Sequence, residues 1–466
     1  MRKSKLFQRG QSGRLKLGVL AVALAAALPQ FASAEDLTQI YQQARAADPT
    51  LATADANKNA TQENAPIARS ALLPQINGTY SYGSKDADSK GYSSTPDASG
   101  NFVLLRSSGT SRGRTESVAL SQSLFNWANI ERWRGANAQA EGAQNTYDAA
   151  SQDLLVRTAT VYFGVLTAED QLSFAQLNEK SLQKQLDQAE QRFQVGLSAI
   201  TDVHVARAQH DAAVAQVITA QNAVETARES VTQIIGKSFG ELKKLRDPLP
   251  LTKPEPAAIE DWVGIASKQN PSLLAAQRNV DAADFNVSAQ RAGHYPTLSG
   301  SLSRSSAPAW GSGTTGGLPN SNSLATATTV GVTLNIPIFS GGLTTAQTRQ
   351  AVYQRDAAQD QFELQRRGVV ANTRNAYRAV IAGISEVEAT KAAVVSAQSA
   401  LEATQAGFEV GTKTILDVLT SQATLLQARS AYSQARHQFV LNGLQLKEAA
   451  GIVASKDLDS VNALLE

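Results

Sequence analysis

The side chains best suited to chemistry are four histidines, and their spacing fits no metal-binding motif: His204, His210, His294 and His437. There is no Cys, which excludes disulfides, thiolate metal sites and Cys nucleophiles. Gly341-Gly342 lacks the phosphate-loop pattern, and no Gly-x-Ser-x-Gly motif is present. The sequence therefore predicts a protein that is not an enzyme and that binds no metal or cofactor.

The charge distribution along the 466 residues indicates export. Residues 1–34 contain six basic residues and no acidic residue, followed by a short apolar run and the small-x-small pattern Ala32-Ser33-Ala34. These are the features of a secretory signal peptide, and the apolar run is too short for a membrane anchor. Of 43 basic residues, 37 then remain against 41 acidic ones, a net charge of −4. We expect no nucleic-acid partner.

The chain contains an internal repeat. Residues 193–203 recur as residues 408–418, a shift of 215 that persists to the glycines at 236 and 451. Nearer the start of each half the shift is 222, which matches Pro49 to Pro271. Self-similarity over this length predicts that each half folds into the same order of elements.

Each half is predicted to contain two strands and two long helices. Val330, Val332 and Leu334 alternate with small or polar residues, which is typical of a half-buried strand. The polar segments 85–112 and 305–325 are interpreted as exposed loops, and Asn126 and Ser340 as helix N-caps. The predicted segments are a signal peptide at 1–34, a first repeat at 35–236 (strands about 75–86 and 114–125, helices about 127–192 and 200–235), a linker at 237–257, a second repeat at 258–451 (strands about 297–305 and 328–339, helices about 343–408 and 414–450) and a tail at 452–466.

A heptad pattern follows each of the two Val-Gly pairs, at 195–196 and at 410–411. From 203 to 234, nine of ten heptad positions are apolar, with His210 the exception. This regularity favours a coiled-coil contact line over an ordinary surface helix, with His210 as a packed or register-setting residue. The second copy, from Val418 to Ala449, is looser.

Four strands per chain are too few to close a membrane barrel. An open sheet in lipid would leave two edges of unpaired backbone groups, which is prohibitively costly. Two copies would supply eight strands and three copies twelve. A central channel favours three, because an eight-stranded barrel is filled by its own side chains.

The strand–helix junctions carry aromatic residues. The long helices are polar throughout and must lie in water, on the periplasmic side of an outer-membrane barrel. Phe125, Trp127, Tyr295 and Phe339 fall where helices meet strands, which is where a membrane-interface aromatic girdle is expected. The alternative is that these aromatics are ordinary core residues.

At these motifs the sequence resembles the TolC family of outer-membrane efflux and secretion channels, over 36 to about 465. The absence of Cys fits its TolC branch better than its lipid-anchored drug-efflux branch. The most specific motifs are Tyr41-Gln42-Gln43-Ala44-Arg45, Leu72-Leu73-Pro74-Gln75, Arg192-Phe193-Gln194-Val195-Gly196-Leu197, Ile200-Thr201-Asp202-Val203, Ala393-Val394-Val395-Ser396-Ala397-Gln398 and Val410-Gly411-Thr412-Lys413-Thr414-Ile415-Leu416-Asp417-Val418-Leu419.

The resemblance implies an α+β membrane protein that works as a homotrimer. Its twelve-stranded β-barrel would lie among outer-membrane lipid, above a periplasmic α-barrel of twelve long coiled-coil helices. The tunnel would be a passive conduit, closed at its inner end. It would open when a periplasmic adaptor and an inner-membrane pump of the RND, ABC or MFS type dock.

The resemblance also implies roles for two turns and for a gate. The turns that would meet the adaptor are Val195-Gly196-Leu197 and Val410-Gly411-Thr412. In the gate the family carries Asp-Val-Leu-Asp, whereas this chain has Asp417 followed by Thr420 in place of the second acid. A single carboxylate ring is expected to bind blocking cations less well than two rings.

A second departure from the family pattern concerns the latch of the gate. Its expected residues are Thr201 and Asp202 on one coil, and Phe408 and Lys413 on the other. Phe408 replaces a Tyr that is frequent in the family, and Lys413 replaces an Arg, which removes a bidentate contact with Asp202. We therefore expect a looser latch than the family type has.

Two other functions are compatible with parts of the pattern. A periplasmic coiled-coil scaffold or adaptor would explain the heptads but leave the alternating strands without a role. A surface adhesin would use the 85–112 loop as its ligand site. The channel explains both the heptads and the strands.

Overall fold

The computed structural model describes residues 34–92, 95–315, 318–319 and 322–466. The predicted signal peptide lies outside these residues, apart from Ala34. The helices in the described part are α1 (Leu37–Ala47), α2 (Pro49–Gln62), α3 (Asn64–Ser70), α4 (Trp127–Gln194), α5 (Ile200–Ile235), α6 (Ile259–Gln269), α7 (Pro271–Arg291), α8 (Leu343–Glu409), α9 (Ile415–Ala449) and α10 (Ser455–Asn462).

Four long strands and one two-residue strand form a single antiparallel sheet. They are β1 (Gln75–Tyr92), β2 (Leu104–Phe125), β3 (Thr297–Thr315), β4 (Leu318–Pro319) and β5 (Ser323–Asn335). β1 pairs with β2, β2 with β3, and β3 with both β4 and β5. β1 and β5 are therefore the outer strands of the sheet.

The strands are longer than predicted, because two segments interpreted as loops are largely strand. β1 continues to Tyr92, and β2 already begins at Leu104. A ladder of backbone hydrogen bonds does not require apolar side chains, so the polar composition that indicated a loop did not prevent pairing. β5 ends at Asn335, earlier than predicted, because Pro337 has no N–H to donate to the ladder.

The register gives the sheet two different faces. One continuous cross-strand row pairs Ile76 with Leu120, Leu120 with Leu302, and Leu302 with Val330. Paired residues share a face, and alternate residues along a strand share it too. We call this the apolar face. The next row consists of Asn77, Ala119, Ser303 and Thr329, and it belongs to the opposite, polar face.

The long helices begin with different caps. The side chain of Asn126 accepts a hydrogen bond from the Asn129 N–H at 3.2 Å, as expected for the N-cap of α4. The prediction for Ser340 was wrong: the cap of α8 is Gly342, at φ +83°, and the Ser340 hydroxyl lies 3.1 Å from the Thr344 hydroxyl. The turn continues for two residues after Ser340 because Gly341 and Gly342 both adopt positive φ.

The coiled-coil line of α5 is buried as the heptads predict. Val203, Ala206, Ala213, Ala220, Val224, Val231 and Ile234 are all buried in the structure. His210 is half-buried, and its Nε2 lies 3.6 Å from the Glu179 carboxylate. The line follows α4, so the 36 residues of α5 are positioned by a continuous apolar stripe and not by a few contacts.

The main core lies in the middle of the helical domain, where the linker between the halves wraps α4 and α8. The Tyr162 hydroxyl donates to the Lys243 carbonyl at 2.9 Å, and the Tyr377 hydroxyl donates to the Ala257 carbonyl. Nearby, His437 is buried with its Nδ1 2.8 Å from the Thr167 hydroxyl. These contacts join the linker to α4 and α8 and join α4 to α9, and a shared cluster of buried apolar side chains adds α5 and α10 to the same core.

A half-buried carboxyl beside this core predicts a pH-dependent stability. Burial, and secondarily the charge of Asp153, raises the pKa of Glu448 to about 7 from 4.5. The folded chain thus holds a proton that the unfolded chain has released, and stability falls as pH rises from 4.5 through 7. Glu448→Gln should raise the free energy of unfolding by about 1 to 2 kcal/mol at pH 8 and change it little at pH 5.

Thermal unfolding at both pH values checks this expectation, with Glu388→Gln at an exposed position of α8 as the matched control. Equal melting temperatures of the Glu448→Gln protein and the unsubstituted protein at pH 8 would contradict it.

Candidate gate and docking turns

The two Val-Gly turns have the same geometry. Gly196 has φ +77° and Gly411 has φ +78°. After α4 the Leu197 N–H donates to the Arg192 carbonyl at 2.8 Å, and after α8 the Thr412 N–H donates to the Gly407 carbonyl at 2.8 Å. The Gly196 N–H also donates to the Phe193 carbonyl at 2.9 Å, and the Gly411 N–H to the Phe408 carbonyl at 3.2 Å. These paired bonds are Schellman caps, which satisfy the last carbonyls of each helix.

The turns expose apolar side chains to solvent. Val195, Leu197 and Val410 are 69%, 73% and 76% exposed. The chain reverses direction within a few residues after α4 and after α8. The tight turns hold these side chains away from the helix pair. The arrangement provides small apolar tips, as a docking surface requires.

A cation–aromatic contact connects the two turns. The Arg192 guanidinium of α4 lies over the Phe408 ring of α8, 4.7 Å from its centroid. Phe408 also packs against Leu182, Ile415 and Leu419. The fold thus brings the expected latch residue Phe408 against Arg192, which the sequence placed in a family motif but not in the latch. Nothing in the local sequence pairs positions 192 and 408, which are joined only by the fold.

Asp417 and Thr420 already have partners on their own helix. Asp417 Oδ2 accepts from the N–H and the hydroxyl of Thr414, both at 2.9 Å, in a capping box that starts α9. The Thr414 backbone bond, then its hydroxyl and the charge of Lys413, lower the pKa of Asp417. The Thr420 hydroxyl donates to the Leu416 carbonyl at 2.8 Å. Asp417 is therefore a fixed negative charge at the start of α9, and Thr420 adds none.

The other latch residues are placed near the same turns but not in contact within one chain. Asp202 accepts a hydrogen bond from the Ser198 hydroxyl at 2.6 Å, and Thr201 is exposed. Among the described residues, Lys413 forms no ion pair with Asp202. The Ser198–Asp202 bond spans four residues, so the spacing Ser-x-x-x-Asp was the signal in the sequence that could have identified it.

The four junction aromatics lie where the sheet meets the helices. Phe125 ends β2 and Trp127 begins α4, while Tyr295 precedes β3 and Phe339 lies between β5 and α8. Phe125, Tyr295 and Phe339 are 44%, 43% and 88% exposed. The Trp127 ring receives the Arg134 guanidinium at 5.5 Å. The exposure of three of them is unlike that of core residues.

Within the part of the chain that the structure describes, no group of three or more His, Asp or Glu side chains is arranged to hold a metal ion. Over the same residues, none of the helices combines the length and the apolar character needed to cross a membrane.

The sequence matches the family model described as "Outer membrane efflux protein" over residues 40–237 and 262–452. The chain belongs to this family. It is 38% identical over 462 residues to the outer membrane protein TolC of Escherichia coli K12, covering 96% of this chain and 89% of that protein. TolC of Vibrio cholerae is 36% identical, with coverage of 96% and 98%.

A more distant relative and two solved structures extend the comparison. The alkaline protease secretion protein AprF of Pseudomonas aeruginosa is 26% identical, with 91% and 86% of the two chains covered. The crystal structures of CusC and of VceC from Vibrio cholerae superpose with TM-scores of 0.72 and 0.71, at 18% and 19% identity. They cover 90% and 89% of this chain, and 93% and 96% of the solved chains. The fold is that of TolC-like channels, and this family member is an outer-membrane efflux or secretion channel.

The contact between Arg192 and Phe408 gives a prediction for the closed gate. A partly exposed cation–aromatic contact is worth about 0.5 to 1 kcal/mol, and its loss should raise the open fraction by a factor of about 2 to 5. Phe408→Ala should therefore increase single-channel conductance in planar bilayers. Phe408→Tyr, which keeps the ring, is the control and should not. Equal conductance of the Ala variant and the unsubstituted protein would remove this contact from the gate.

Proposed function

We propose that three copies of the chain form one twelve-stranded barrel with a twelve-helix tunnel below it. The observation that carries the proposal is the sheet: four long strands, with outer strands β1 and β5, and an apolar face that the protomer leaves exposed. Val330 and Val332 are 76% and 67% exposed. In lipid, the apolar face would turn outward, and β5 of one copy would pair with β1 of the next.

The tunnel follows from the same geometry. α4 and α8 contain 68 and 67 residues, a length of about 100 Å each. With α5 and α9 they supply four long helices per copy and twelve per trimer. The shared order of strands, long helix, Val-Gly turn and second helix supports an internal repeat, with 237–257 as the linker.

The distal turns are proposed to be the docking and gating end. A periplasmic adaptor would dock on the two turns and connect the tunnel to an inner-membrane pump. The residues of these turns are Val195, Gly196, Leu197, Val410, Gly411 and Thr412. Asp417 of three copies would form one carboxylate ring near the axis. The cargo could be small molecules or proteins, because some relatives are named for efflux and others for protease secretion.

The proposal is tested by deleting the gene and measuring sensitivity to several drugs together with secretion of protein substrates. Restoration of drug resistance or secretion by the full chain, but not by a chain lacking both turns, supports it. A deletion strain that loses neither activity contradicts it. The alternative of a periplasmic scaffold is not favoured, since it leaves the apolar face of the sheet in water.

The latch is proposed to include Lys413. Its stem lies against Gly407, and its charge lowers the pKa of Asp417. Lys413→Ala should raise single-channel conductance and substrate leakage severalfold, whereas Lys413→Arg, which restores the bidentate donor, should lower both. If neither variant changes conductance or leakage, Lys413 does not belong to the gate.

A further inference from the structure

Three arginines lie on the apolar face of the sheet, Arg304 near the middle of β3 and Arg112 and Arg114 nearer the end far from the helices. Arg114 is paired with Tyr82, Arg112 with Trp310, and Arg304 with Val118. Arg112, Arg114 and Val118 are separated by even numbers of residues along β2, so all three arginines share this face. We call Arg112, Arg114 and Arg304, with Tyr82 and Trp310, the arginine–aromatic cluster.

The height of the cluster is set by the strands. Leu298 lies at the end of β3 that joins the helices, and Arg304 lies six residues further along. Six residues span about 20 Å along a strand. At a strand tilt near 40°, this corresponds to a height of about 15 Å across the membrane. Arg114 lies four residues beyond Val118, the partner of Arg304, at about 25 Å. An outer-membrane apolar band is about 25 Å tall, so Arg112 and Arg114 lie at its outer rim, whereas Arg304 lies about 10 Å inside it. Arg304 can extend its charge toward this rim along its apolar stem.

The charges of the cluster are largely unneutralised. Arg114 Nε lies 3.2 Å from the Glu116 carboxylate. Arg112 and Arg304 are exposed and form no hydrogen bond or ion pair with any residue that the structure describes. Each copy therefore keeps an excess of two positive charges on a surface that otherwise faces hydrocarbon. Such charges are costly in lipid unless an anionic group meets them.

The surface around Arg304 also carries a shallow, open depression. A cavity of about 520 Å³ opens over Gly78, which contributes no side chain to the cross-strand row that it forms with Val118 and Arg304. Tyr80, Glu116, Val118 and Arg304 line this cavity. Tyr82 and Trp310 lie beside it with ring centroids 6.2 Å apart. Arginine side chains bind phosphate through paired N–H donors, and flat aromatic rings pack well against sugar rings.

We propose that the arginine–aromatic cluster binds a phosphorylated glycolipid of the outer leaflet, with its phosphates on the arginines and its acyl chains along the apolar face below. The proposal rests on the proposed function in one respect: it requires the apolar face to be turned to lipid and the helices to be periplasmic. A ligand of this class carries a phosphate group, a sugar headgroup and acyl chains. The glycolipid is chosen over a phospholipid because aromatic and cationic groups occur together at the rim.

The test titrates the purified full-length oligomer in non-ionic detergent with bisphosphorylated lipid A and measures bound lipid by native mass spectrometry. The triple variant Arg112→Gln, Arg114→Gln, Arg304→Gln should weaken binding at least about tenfold. The matched control, Lys85→Gln, Arg349→Gln, Arg378→Gln, removes the same charge from the polar face of the sheet and from α8, and should bind normally. Dephosphorylated lipid A and phosphatidylglycerol should bind the unsubstituted protein at least about tenfold more weakly than lipid A.

Unchanged lipid A affinity in the triple variant would overturn the proposal. So would equal affinity for dephosphorylated lipid A or phosphatidylglycerol, or full competition by equimolar inorganic phosphate, which would indicate a simple anion site. If the triple variant fails to assemble, the single variants Arg112→Gln and Arg304→Gln, each compared with Lys85→Gln, provide the same readout. Drug-export complementation by an assembled variant that no longer binds lipid A separates this proposal from the channel function.

Discussion

Arginines at Leu302 and Val330 should prevent the chain from assembling in the outer membrane, whereas arginines one residue away should not. Leu302 and Val330 are directly paired on β3 and β5, near the middle of the apolar face. An arginine at the bilayer midplane of a barrel costs about 2 to 4 kcal/mol, so the double variant loses about 4 to 8 kcal/mol per copy. This is comparable with the whole stability of an ordinary domain.

The matched control places the same charges on the polar face. Ser303 and Thr329 are also directly paired, one residue along each strand, so Ser303→Arg/Thr329→Arg creates the same juxtaposition of like charges. Outer-membrane fractions run without heating in SDS gels measure the assembled oligomer. Assembly should be abolished by the first pair and retained by the second. Equal assembly of both variants would show that the apolar face is not the lipid-facing one.

The second large effect is expected at the docking turns. Valine at Gly196 and Gly411 would have to adopt φ near +77°, which costs about 1 to 2 kcal/mol or more at each turn for a residue with a β-branch. The Schellman bonds to the carbonyls of Arg192 and Gly407 would be disturbed, and the apolar tips would change direction. We expect Gly196→Val/Gly411→Val to lower drug export and adaptor affinity at least about tenfold.

Two helical glycines provide the control for this experiment. Gly164 in α4 and Gly368 in α8 have no neighbouring atom within 4 Å of an added Cβ. Valine there replaces a residue of still lower helix propensity, so Gly164→Val/Gly368→Val should keep both activities. Export and adaptor pulldown are measured on variants that assemble equally well. Full export by the turn variant would remove the turns from docking.

The strand pattern was readable from the sequence only where lipid requires it. Alternation identified Val330, Val332 and Leu334 correctly, because an apolar face has a period of two. It failed for residues such as Asp86 and Arg106, which also lie in strands. Beyond the apolar band both faces are polar, so backbone pairing continues without any signal in hydrophobicity.

The helices were easier to predict than the contacts between them. The heptads in α5 placed Val203 to Ile234 against α4, because burial follows the period of the helix. The contact of Arg192 with Phe408 joins residues that are far apart in the chain, and no local pattern encodes it. The capping box of Thr414 and Asp417 was visible as Thr-x-x-Asp spacing, yet the family resemblance directed attention to a gate carboxylate instead.

The trimeric barrel is tested most directly by the mass of the purified chain in mild detergent, measured by light scattering with the detergent contribution subtracted. The sheet ends at β1 and β5, and a closed barrel requires neighbouring copies to pair those edges. We expect particles of three chains that resist dissociation until heated and that show both helix and strand in circular dichroism. A correctly folded monomer in the same detergent would contradict it.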